Sequence, residues 1–413
     1  MSFNSYAYSA AELTARIQQD LDGLERWRGE QLSLDAGWGI AGAAVGRVFR
    51  PWMYSMSADF YPHARVHACG EQMDELEDMA IDLARGLYHA EYVDLHALSG
   101  GSANSILICA LTSPGDTIMS LPEPLGHRSM RADGIGGYLD RRFVPLPLEK
   151  DGLSLDTERC RELILREKPR LILLGSALYL FYEPFRQIAE AARQVGAITA
   201  CDVSHTFGYL YCSMSVNPLE QGIDVIAGGT YKTVCGPNKG MICTNREDIA
   251  LAVREHAPRM VFNYNAFLIP ALAQALVELR SHGEEYGCTM IRCAKALAAA
   301  MEKEGFAIAG ACRGYTDTHL LAAVMEGTDR MALVRKLESA NILCSTVPLD
   351  ESHFYLRPAT MILARRGFLE EDMPMIAGLL ADVVFHDNVE LVREKVKALM
   401  SMPEHQKVYF AQE

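Results

Sequence analysis

The chain has 413 residues, of which 49% are hydrophobic and 22% are charged. This composition is ordinary for a globular protein and argues against a mainly disordered chain. The length exceeds what one hydrophobic core usually organises, so we expect a large domain followed by a smaller one. The 39 basic and 53 acidic residues leave a net charge of −14, which disfavours nucleic acid and anionic membranes as partners.

The eleven cysteines are scattered, form no CxxC pair and have no zinc-ligand spacing to a histidine. We therefore expect buried, reduced thiols and no metal site. The N-terminus has no basic start followed by an apolar run, so it does not resemble a signal peptide. Apolar stretches such as Leu171–Leu174 are too short to cross a bilayer. Together these features favour a cytoplasmic protein.

The first 40 residues are predicted to form an N-terminal helical arm, because leucines recur at helical spacing over Ala11–Leu24. A glycine-rich turn covers Gly37–Gly46, and a long amphipathic helix begins at Glu71. Short apolar strands and helices then alternate, which indicates a mostly parallel sheet covered on both faces. The predicted strands are Tyr92–Ala97, Thr117–Leu121, Arg142–Leu146, Arg170–Leu174, Ile198–Cys201, Val225–Ala227 and Met241–Thr244. The predicted helices between them are Ser102–Leu111, Leu155–Arg166, Pro184–Gln194 and Arg246–His256.

The pattern changes near Ala266, where a long helical stretch, Ala266–Lys303, leads into a segment with fewer strands. We place the domain boundary inside this helix. The predicted fold class is α/β, with an arm at 1–40, a large domain at 41–275 and a smaller α+β domain at 276–413. In the smaller domain the predicted strands are Thr318–Val324, Ile342–Cys344 and Phe354–Arg357, and the predicted helices are Glu370–Phe385 and Val389–Ser401.

The most informative segment is Ile223–Cys243, in which Lys232 follows a strand and a small-residue turn, Gly228-Gly229-Thr230. A surface lysine needs no such setting. A lysine that forms a Schiff base does, because small residues let the backbone and a cofactor approach closely. By itself the pattern is only suggestive, since most lysines lie on a solvated surface.

A carboxylate and a histidine, Asp202 and His205, follow an apolar strand. A carboxylate at the carboxyl end of a strand points into the usual ligand crevice of an open α/β sheet. Pyridoxal phosphate needs an anionic partner for its ring nitrogen, a role that suits Asp202, and His205 could contact the cofactor's phenolic oxygen or the substrate. The alternative is a helix N-cap at Asp202 with a packed histidine. The later lysine favours the cofactor interpretation.

A glycine- and serine-rich turn, Ser99-Gly100-Gly101-Ser102, lies between a predicted strand and a predicted helix. Its backbone N–H groups, hydroxyls and helix N-terminus suit a phosphate group. It has neither the lysine of a Walker A loop nor a GxGxxG pattern. Such turns are common, so this one supports a cofactor site only together with Lys232 and Asp202.

These motifs, in this order, resemble those of serine hydroxymethyltransferase and its relatives among the fold-type I pyridoxal-phosphate enzymes. The resemblance extends from about Leu32 to Leu399. The matching stretches are Tyr61-Pro62 through Glu71, Ala80–Ala84, Ser99–Asn104, Pro114–Thr117, Gly126-His127, Asp202–His205, Thr230–Thr233, Gly236-Pro237, Thr316–His319, and Arg357 through Gly367.

The resemblance implies that Lys232 forms the Schiff base with pyridoxal 5′-phosphate and that Asp202 binds the ring nitrogen. It implies that His127 stacks on the pyridine ring and that Arg357 binds the substrate carboxylate, which a planar guanidinium does well. The alternative for Arg357, a surface salt bridge, is disfavoured by its apolar neighbours Phe354–Leu356. The remaining cofactor-binding residues would be Ser99, Gly100, Gly101, Ser176, His205 and Thr230, and Tyr231 would face the substrate.

The chain departs from the family in the region that binds serine and folate. Family members carry Ser-Glu-Asn-Tyr where this chain has Gly37-Trp38-Gly39-Ile40, and Asp59 replaces their general-acid glutamate. Their paired tyrosines correspond to Val66 and His67, and the histidine before their lysine is Tyr231. Shortening the glutamate withdraws the carboxyl group by about one methylene, and a shift near 1 Å can cost ~100-fold in rate.

The cofactor machinery is thus kept while the contacts to serine and folate are lost. We predict a folate-independent enzyme that cleaves or forms the Cα–Cβ bond of an α-amino acid with a larger β-substituent than serine, as an aldolase or transaldolase does. The alternative is β-elimination from a cysteine S-conjugate, or decarboxylation with oxidative deamination. Asp59 and His67 are candidates for altered acid–base roles, with packing a nearly equal alternative for His67.

A non-catalytic scaffold is a third hypothesis, which the retention of four cofactor and substrate residues disfavours. Substituting Lys232 by alanine separates an enzyme, which loses activity, from a scaffold, which does not. Since the family builds its active site across a dimer, the resemblance also implies a homodimer. The residues that one subunit would donate to its neighbour are Asp59, His67 and Tyr264.

Overall fold

The computed structural model of the protein describes residues 8–67, 70–122, 125–126, 133–350 and 352–412. Within these residues the chain forms fourteen α-helices and twelve β-strands. The helices are α1 Ala10–Gly29, α2 Ala43–Arg47, α3 Glu71–Tyr88, α4 Gly100–Leu111, α5 Ile135–Tyr138, α6 Thr157–Glu167, α7 Phe185–Val195, α8 Glu247–Met260, α9 Ile269–Lys303, α10 Arg330–Ser339, α11 Met361–Arg365, α12 Met373–Val384, α13 Val389–Met400 and α14 Pro403–Gln406. The strands are β1 Leu32–Leu34, β2 Tyr92–Asp94, β3 Thr117–Ser120, β4 Arg142–Pro145, β5 Leu171–Leu174, β6 Ile198–Asp202, β7 Val225–Gly229, β8 Gly240–Thr244, β9 Ala307–Ile308, β10 Ala323–Glu326, β11 Ile342–Pro348 and β12 His353–Arg357.

A seven-stranded sheet forms the centre of the larger part, in the order β2-β8-β7-β6-β5-β3-β4. Strands β3 to β7 pair in parallel with one another, whereas β8 is antiparallel to both β7 and β2. Ten residues, 230–239, join β7 to β8, and a crossover to a parallel strand needs a dozen or more. The short connection therefore reverses the chain and forms a hairpin loop that carries Lys232.

The central strands of this sheet are buried from end to end. Every residue of β5 and β6 is buried, as expected for parallel strands that helices cover on both faces. Helix α4 packs on β7 and β8, and α7 packs on β6. The predicted α/β class with a mostly parallel sheet is confirmed.

A second sheet of five strands, in the order β1-β11-β12-β10-β9, forms the smaller part. Helix α9 connects the two parts; its 35 residues span about 50 Å at 1.5 Å per residue. Leu272 and Leu276 near its start join the core around the large sheet, and Leu297 and Met301 near its end join the core around the small sheet. The residue bounds of the two domains stay a prediction.

The N-terminal arm differs from the prediction, which was entirely helical. Leu32–Leu34 forms β1, which pairs in parallel with β11 at the edge of the small sheet. Leu32 and Leu34 are fully buried in the second core. Three residues are too few to show a strand period, and their partner strand lies about three hundred residues further along the chain, so local sequence does not reveal this pairing.

Two further predictions are corrected. The strand expected at Thr318–Val324 begins at Ala323, because the preceding residues bind the larger part through their side chains. The Thr316 and Thr318 hydroxyls donate to the carbonyl oxygens of Leu180 and Tyr179, at 3.0 and 2.5 Å. The ten described cysteines are free thiols, but Cys312 is exposed and Cys109 is partly exposed, so the prediction of burial fails for these two.

Among the described residues, no helix combines the length and the apolar character needed to span a membrane.

Candidate active site

The carboxyl ends of four strands bring the predicted site residues to one edge of the large sheet. Ser99 follows β2, Ser176 follows β5, Asp202 ends β6 and Lys232 follows β7. These four strands run in the same direction, since β8 alone is reversed between β2 and β7. The crevice beyond the carboxyl ends of parallel strands is where open α/β sheets bind their ligands.

Lys232 is buried in the hairpin loop between β7 and β8. Its Nζ lies 3.1 Å from His205 Nε2. Burial lowers the pKa of Lys232 to about 8, with Asp202 and Asp35 acting in the opposite direction and Arg357 in the same direction. A neutral amine is a nucleophile, so this environment prepares Lys232 to form a covalent bond to a carbonyl carbon near neutral pH.

Two donors among the described residues hold the carboxylate of Asp202. The backbone N–H of Ser204 donates to Oδ1 at 2.8 Å, and Asn104 Nδ2 donates to Oδ2 at 2.6 Å. The side chains of Asp202 and Asn104 are both buried. A buried carboxylate with both oxygens hydrogen-bonded is held in a single orientation, which suits it to face a cationic ring nitrogen.

The turn at Ser99–Gly101 forms the N-terminus of α4. The Ser99 hydroxyl caps the helix by accepting from the backbone N–H of Ser102 at 3.2 Å. A Cβ on Gly100 would lie 2.7 Å from Ser204 Oγ and 2.8 Å from the Gly229 nitrogen, so this position tolerates only glycine. A Cβ on Gly101 would meet no atom closer than 3.8 Å. The first turn of α4 therefore presents small residues and backbone N–H groups to an open space, as a phosphate site requires.

Ser176 and Thr230 are buried at the same edge, and both hydroxyls already serve the fold. Ser176 Oγ donates to the carbonyl of Leu125 at 3.1 Å. Thr230 Oγ1 donates to the carbonyl of Pro237 at 2.6 Å, which closes the loop that carries Lys232. Within the described residues these hydroxyls position the loops of the site, so any contact with a cofactor would be additional.

Arg357 reaches the site from the smaller sheet. It ends β12, opposite Ser345 of β11, and Ser345 Oγ accepts from its Nε and Nη2 at 3.1 and 3.0 Å. Its Nη1 donates to the carbonyl of Ala177. Burial lowers the pKa of Arg357, while the nearby carboxylate of Asp35 raises it. The guanidinium is thus fixed at the junction of the two parts, close to Lys232.

The segment that departs from the family crosses the lysine loop directly. The backbone N–H of Gly39 donates to the carbonyl of Tyr231 at 2.8 Å. A Cβ on Gly39 would lie 2.2 Å from the Lys232 carbonyl oxygen, so this close approach requires glycine. The Tyr231 side chain is partly exposed, and burial raises its pKa. The altered segment therefore forms part of the wall of the site.

Asp59 and His67 form a pair in the described loop between α2 and α3. His67 Nε2 lies 3.3 Å from Asp59 Oδ2. Asp59 is buried while 58% of the His67 side chain is exposed. The structure brings these two predicted residues together, and the contacts found for Asp59 are with Ser57 and His67. Their participation in catalysis stays a prediction.

Tyr264 was expected to reach a neighbouring subunit, and this expectation is wrong. Its side chain is fully buried in its own chain. The hydroxyl accepts from Arg65 Nη1 at 2.5 Å and donates to Glu77 Oε2 at 2.5 Å. Lys239 Nζ lies 5.0 Å from its ring centre. The cause is a buried ion pair between Arg65 and Glu77, 2.6 Å apart, whose partners the hydroxyl joins.

His127 lies outside the described residues. Sequence reasoning also missed several residues that orient the predicted ones. Asn104 binds Asp202, Ser345 binds Arg357, and the charge of Asp35 acts on both Lys232 and Arg357. Asn104 was visible within the matching stretch Ser99–Asn104, whereas the other two become neighbours only through strand pairing.

A cavity of about 580 Å³ lies beside the edge strand β2, away from these residues. Tyr61, Asp94 and Arg254 line it, and none of the predicted site residues does. This cavity is therefore separate from the residues at the carboxyl edge of the sheet.

The residues present fit pyridoxal phosphate. A buried lysine with a pKa near 8 suits a covalent bond to the aldehyde carbon. An oriented carboxylate suits the ring nitrogen. The glycine-lined helix N-terminus suits the phosphate. These three features, at one edge of an α/β sheet, define the class of fold-type I pyridoxal-phosphate enzymes.

A model of the serine hydroxymethyltransferase family matches residues 15–380, and the chain belongs to that family. It is a pyridoxal-phosphate-dependent enzyme of the serine hydroxymethyltransferase-like group, as the sequence motifs predicted.

Relatives with different activities are similar to this chain. The serine hydroxymethyltransferase of Methanopyrus kandleri is 34% identical over 340 residues, which cover 79% of this chain and 78% of that protein. An α-methylserine aldolase of a Ralstonia species is 31% identical over 334 residues, which cover 78% and 76%. The structure of an L-threonine transaldolase from Pseudomonas fluorescens superposes with a TM-score of 0.88 at 20% identity, over 97% of this chain and 94% of that one. At 20% identity, the similarity to the transaldolase structure shows the fold alone.

The pKa of Lys232 predicts the pH dependence of cofactor capture. Only the neutral amine attacks an aldehyde, and a pKa of about 8 makes half of Lys232 neutral near pH 8, whereas an ordinary lysine reaches this point near pH 10.5. We expect the rate of covalent pyridoxal phosphate binding to cofactor-free protein to rise with pH, with a midpoint near pH 8 and a plateau above about pH 9. Stopped-flow absorbance measures this rate.

A control variant tests the cause of that midpoint. Asp35 raises the pKa of Lys232, so Asp35→Asn should move the midpoint to lower pH. A midpoint near 10.5 in the unmodified protein, or a shift to higher pH in the variant, would contradict the assignment.

Proposed function

We propose that the protein cleaves or forms the Cα–Cβ bond of a β-hydroxy-α-amino acid whose β-substituent is larger than that of serine, without folate. The observation that carries the proposal is the convergence of Lys232, Asp202 and Arg357 next to a segment, Gly37–Ile40, that differs from the sequence of family members. In the wall of the site, Gly39 and Tyr231 take the place of the family's polar residues.

Pyridoxal 5′-phosphate, when bound, supplies an electron sink that stabilises negative charge at Cα. Lys232 would hold it covalently, and Asp202 would face its ring nitrogen. The phosphate would lie on the first turn of α4. The further cofactor contacts would come from Ser99, Gly100, Gly101, Ser176, His205, Thr230 and His127.

The chain's own residues would select and orient the substrate. Arg357 offers N–H groups from a guanidinium that Ser345 and Ala177 hold in place, which suits an α-carboxylate. His205, 3.1 Å from Lys232, can hold or accept a proton at the lysine nitrogen. Asp59 and His67 form a carboxylate–imidazole pair suited to moving a proton of the substrate hydroxyl.

Two of the proteins similar to this chain support the proposed Cα–Cβ chemistry. An aldolase of α-methylserine has the same 31% identity to this chain as one of the serine hydroxymethyltransferases, and a transaldolase shares the fold over nearly all of its length. The proteins similar to this chain thus include one named for a reaction other than serine hydroxymethyl transfer.

Arg357→Lys should raise KM for the amino-acid substrate about 100-fold with a smaller effect on kcat. A lysine supplies the charge but not the planar fork that binds both carboxylate oxygens, and the two bonds to Ser345 would be lost. Steady-state kinetics measures both constants. The matched control is binding of an amine that lacks the carboxylate, which should be unchanged; equal losses for amine and amino acid would show that the variant disturbs the site as a whole.

We also propose that the protein is a homodimer. Large hydrophobic side chains are exposed in two segments of the chain. These segments meet where the rings of Phe60 and Phe262 lie 6.1 Å apart between centroids. The exposed side chains of this patch are Trp52, Tyr54, Phe60, Val66 and Phe262. Such patches mark interfaces, and Phe60 and Val66 of this patch lie in the same loop as Asp59 and His67. Sedimentation should give twice the monomer mass, and Phe262→Asp should favour the monomer; a monomeric unmodified protein would contradict the proposal.

A panel of amino acids tests the proposed reaction. The purified enzyme with its cofactor is incubated with serine, threonine and β-hydroxy amino acids bearing aryl groups, with and without tetrahydrofolate. Aldehyde release from the larger substrates without folate is the expected result. Turnover of serine alone and only with folate would overturn the proposal. Release of thiol or carbon dioxide from cysteine S-conjugates would instead assign an elimination or decarboxylation.

A further inference from the structure

His319 is a fully buried histidine beside the active site that the proposed reaction does not yet use. It follows Thr316 and Thr318, whose hydroxyls fasten this segment to the carbonyls of Leu180 and Tyr179. Its own carbonyl accepts from the backbone N–H of Thr360 at 3.1 Å. The backbone on both sides of the imidazole is therefore held, and the ring has one defined position.

Among the described residues, one ring nitrogen of His319 has a hydrogen-bond partner and the other has none. Nδ1 lies 2.9 Å from the Tyr209 hydroxyl. Burial raises the pKa of Tyr209 far above its ordinary value, so that hydroxyl keeps its proton and can donate it to Nδ1. A neutral imidazole then carries its hydrogen on Nε2. Within the part of the chain that the structure describes, this buried Nε2 has no hydrogen-bond partner.

The ring lies among the residues that would bind the substrate. It stacks with His205 at 5.9 Å between centroids and 28° between planes. Burial and the positive charges of Arg357 and Lys232 together lower the pKa of His319 to about 3, so both cations are close to the ring. His319 is accordingly neutral over the working pH range, and its ring is suited to donate a hydrogen bond rather than to act as a base.

The two cations mark the two ends of an α-amino acid. Lys232 marks the place of the amino group, and Arg357 marks the place of the carboxylate. Ser345 and Ala177 occupy part of the Arg357 fork, so the guanidinium alone leaves oxygen lone pairs of a bound carboxylate unused. A neutral N–H donor at this position matches that remaining need.

We propose that His319 is a substrate-binding residue whose Nε2–H donates a hydrogen bond to the α-carboxylate that Arg357 binds. The proposal rests on the amino-acid substrate of the proposed function, but not on which bond of that substrate breaks. A ligand carboxylate would satisfy a buried donor for which the described residues supply no partner, and leaving such a donor unpaired costs free energy.

Two isosteric substitutions separate this role from a purely structural one. Glutamine places its amide nitrogen near the Nε2 position, whereas asparagine places its amide near Nδ1 and the Tyr209 hydroxyl. If His319 binds substrate, His319→Gln should be the better replacement. If His319 serves only to pack against Tyr209, His319→Asn should be the better one.

The measurement is the affinity of the cofactor-loaded enzyme for L-alanine and for ethylamine, which lacks the carboxylate, followed by the change in visible absorbance. We expect His319→Asn to bind L-alanine about 10-fold more weakly and ethylamine unchanged, with His319→Gln close to the unmodified protein for both. Thermal unfolding of each variant is measured alongside. L-Alanine affinity that is equal in the two variants, or better retained in His319→Asn, would overturn the proposal.

A third variant tests the proposal if neither His319→Gln nor His319→Asn folds. Tyr209→Phe keeps the imidazole but removes the donor to Nδ1, so the hydrogen is no longer directed to Nε2. Weaker binding of L-alanine with unchanged binding of ethylamine supports the proposal, and unchanged binding of both overturns it. Because neither ligand has a β-hydroxyl, these outcomes do not depend on the aldol reaction, which the amino-acid panel tests separately.

Discussion

Replacement of Lys232 by alanine is expected to abolish the reaction, with a fall in rate of more than about 10³-fold, and to remove covalent cofactor binding. The reason is the environment of Nζ, which is buried, lies 3.1 Å from His205 and has a pKa lowered to about 8. Borohydride reduction of the loaded protein followed by mass spectrometry measures the covalent bond directly. The hydrogen bond found for the Lys232 amine is to His205 and not to a carboxylate. Its removal therefore leaves no buried carboxylate unpaired, and we expect the variant to fold.

A matched control is available in the same loop. Lys239 is also buried, and burial lowers its pKa to about 8 as well. Its Nζ donates to the carbonyl of Tyr264 at 2.7 Å and faces the ring of that tyrosine, so its role is structural. Lys239→Met should lower the free energy of unfolding and leave the reducible bond at Lys232. Loss of the covalent bond in Lys239→Met but not in Lys232→Ala would reverse the assignment.

Asp202→Asn is expected to lower kcat by about 10³-fold while the protein still binds the cofactor. A neutral amide cannot balance a positive charge on the ring nitrogen as a carboxylate does. The variant should also be less stable by ~1–3 kcal/mol, because Ser204 and Asn104 both donate to this side chain and an asparagine has only one acceptor oxygen. Steady-state kinetics and chemical unfolding measure the two effects separately.

Asn104→Ala serves as the comparison for that prediction. It keeps the charge of Asp202 and removes one of the bonds that orient it, so we expect a loss of kcat well below that of Asp202→Asn. If Asn104→Ala were as damaging, orientation and not charge would be the main contribution of Asp202. If neither variant changed kcat, Asp202 would not face the ring nitrogen.

The fold class followed from local patterns. Apolar strands that alternate with amphipathic helices predict a parallel sheet, because both faces of such strands must be covered. The predicted strands of the large sheet agree with the observed ones to within three residues at their ends. The prediction did not include the reversal of β8, which depends on the length of one loop, or β1, whose three residues find their partner in β11.

Some residues of the candidate site could likewise be predicted from local patterns, and others could not. Lys232, Asp202 and the turn at Ser99–Gly101 could be placed together, since strands that run in the same direction end at the same edge. Tyr264 could not, because its burial comes from Arg65 and Glu77, nearly two hundred residues away in sequence. Polar residues in a loop indicate exposure by default, and only the packed structure shows a buried ion pair that binds a hydroxyl.

The residues that fit the cofactor could be found in the sequence, because a lysine, a carboxylate and a glycine-rich turn at strand ends are local features. The contacts that position the candidate substrate-binding residues depend on tertiary structure. Each of these contacts joins segments that are distant in sequence. Strand pairing sets Ser345 opposite Arg357. The charge of Asp35 acts on both Lys232 and Arg357, and His319 contacts Tyr209. Contacts of that kind depend on how two sheets and one long helix pack, and no local pattern encodes that packing.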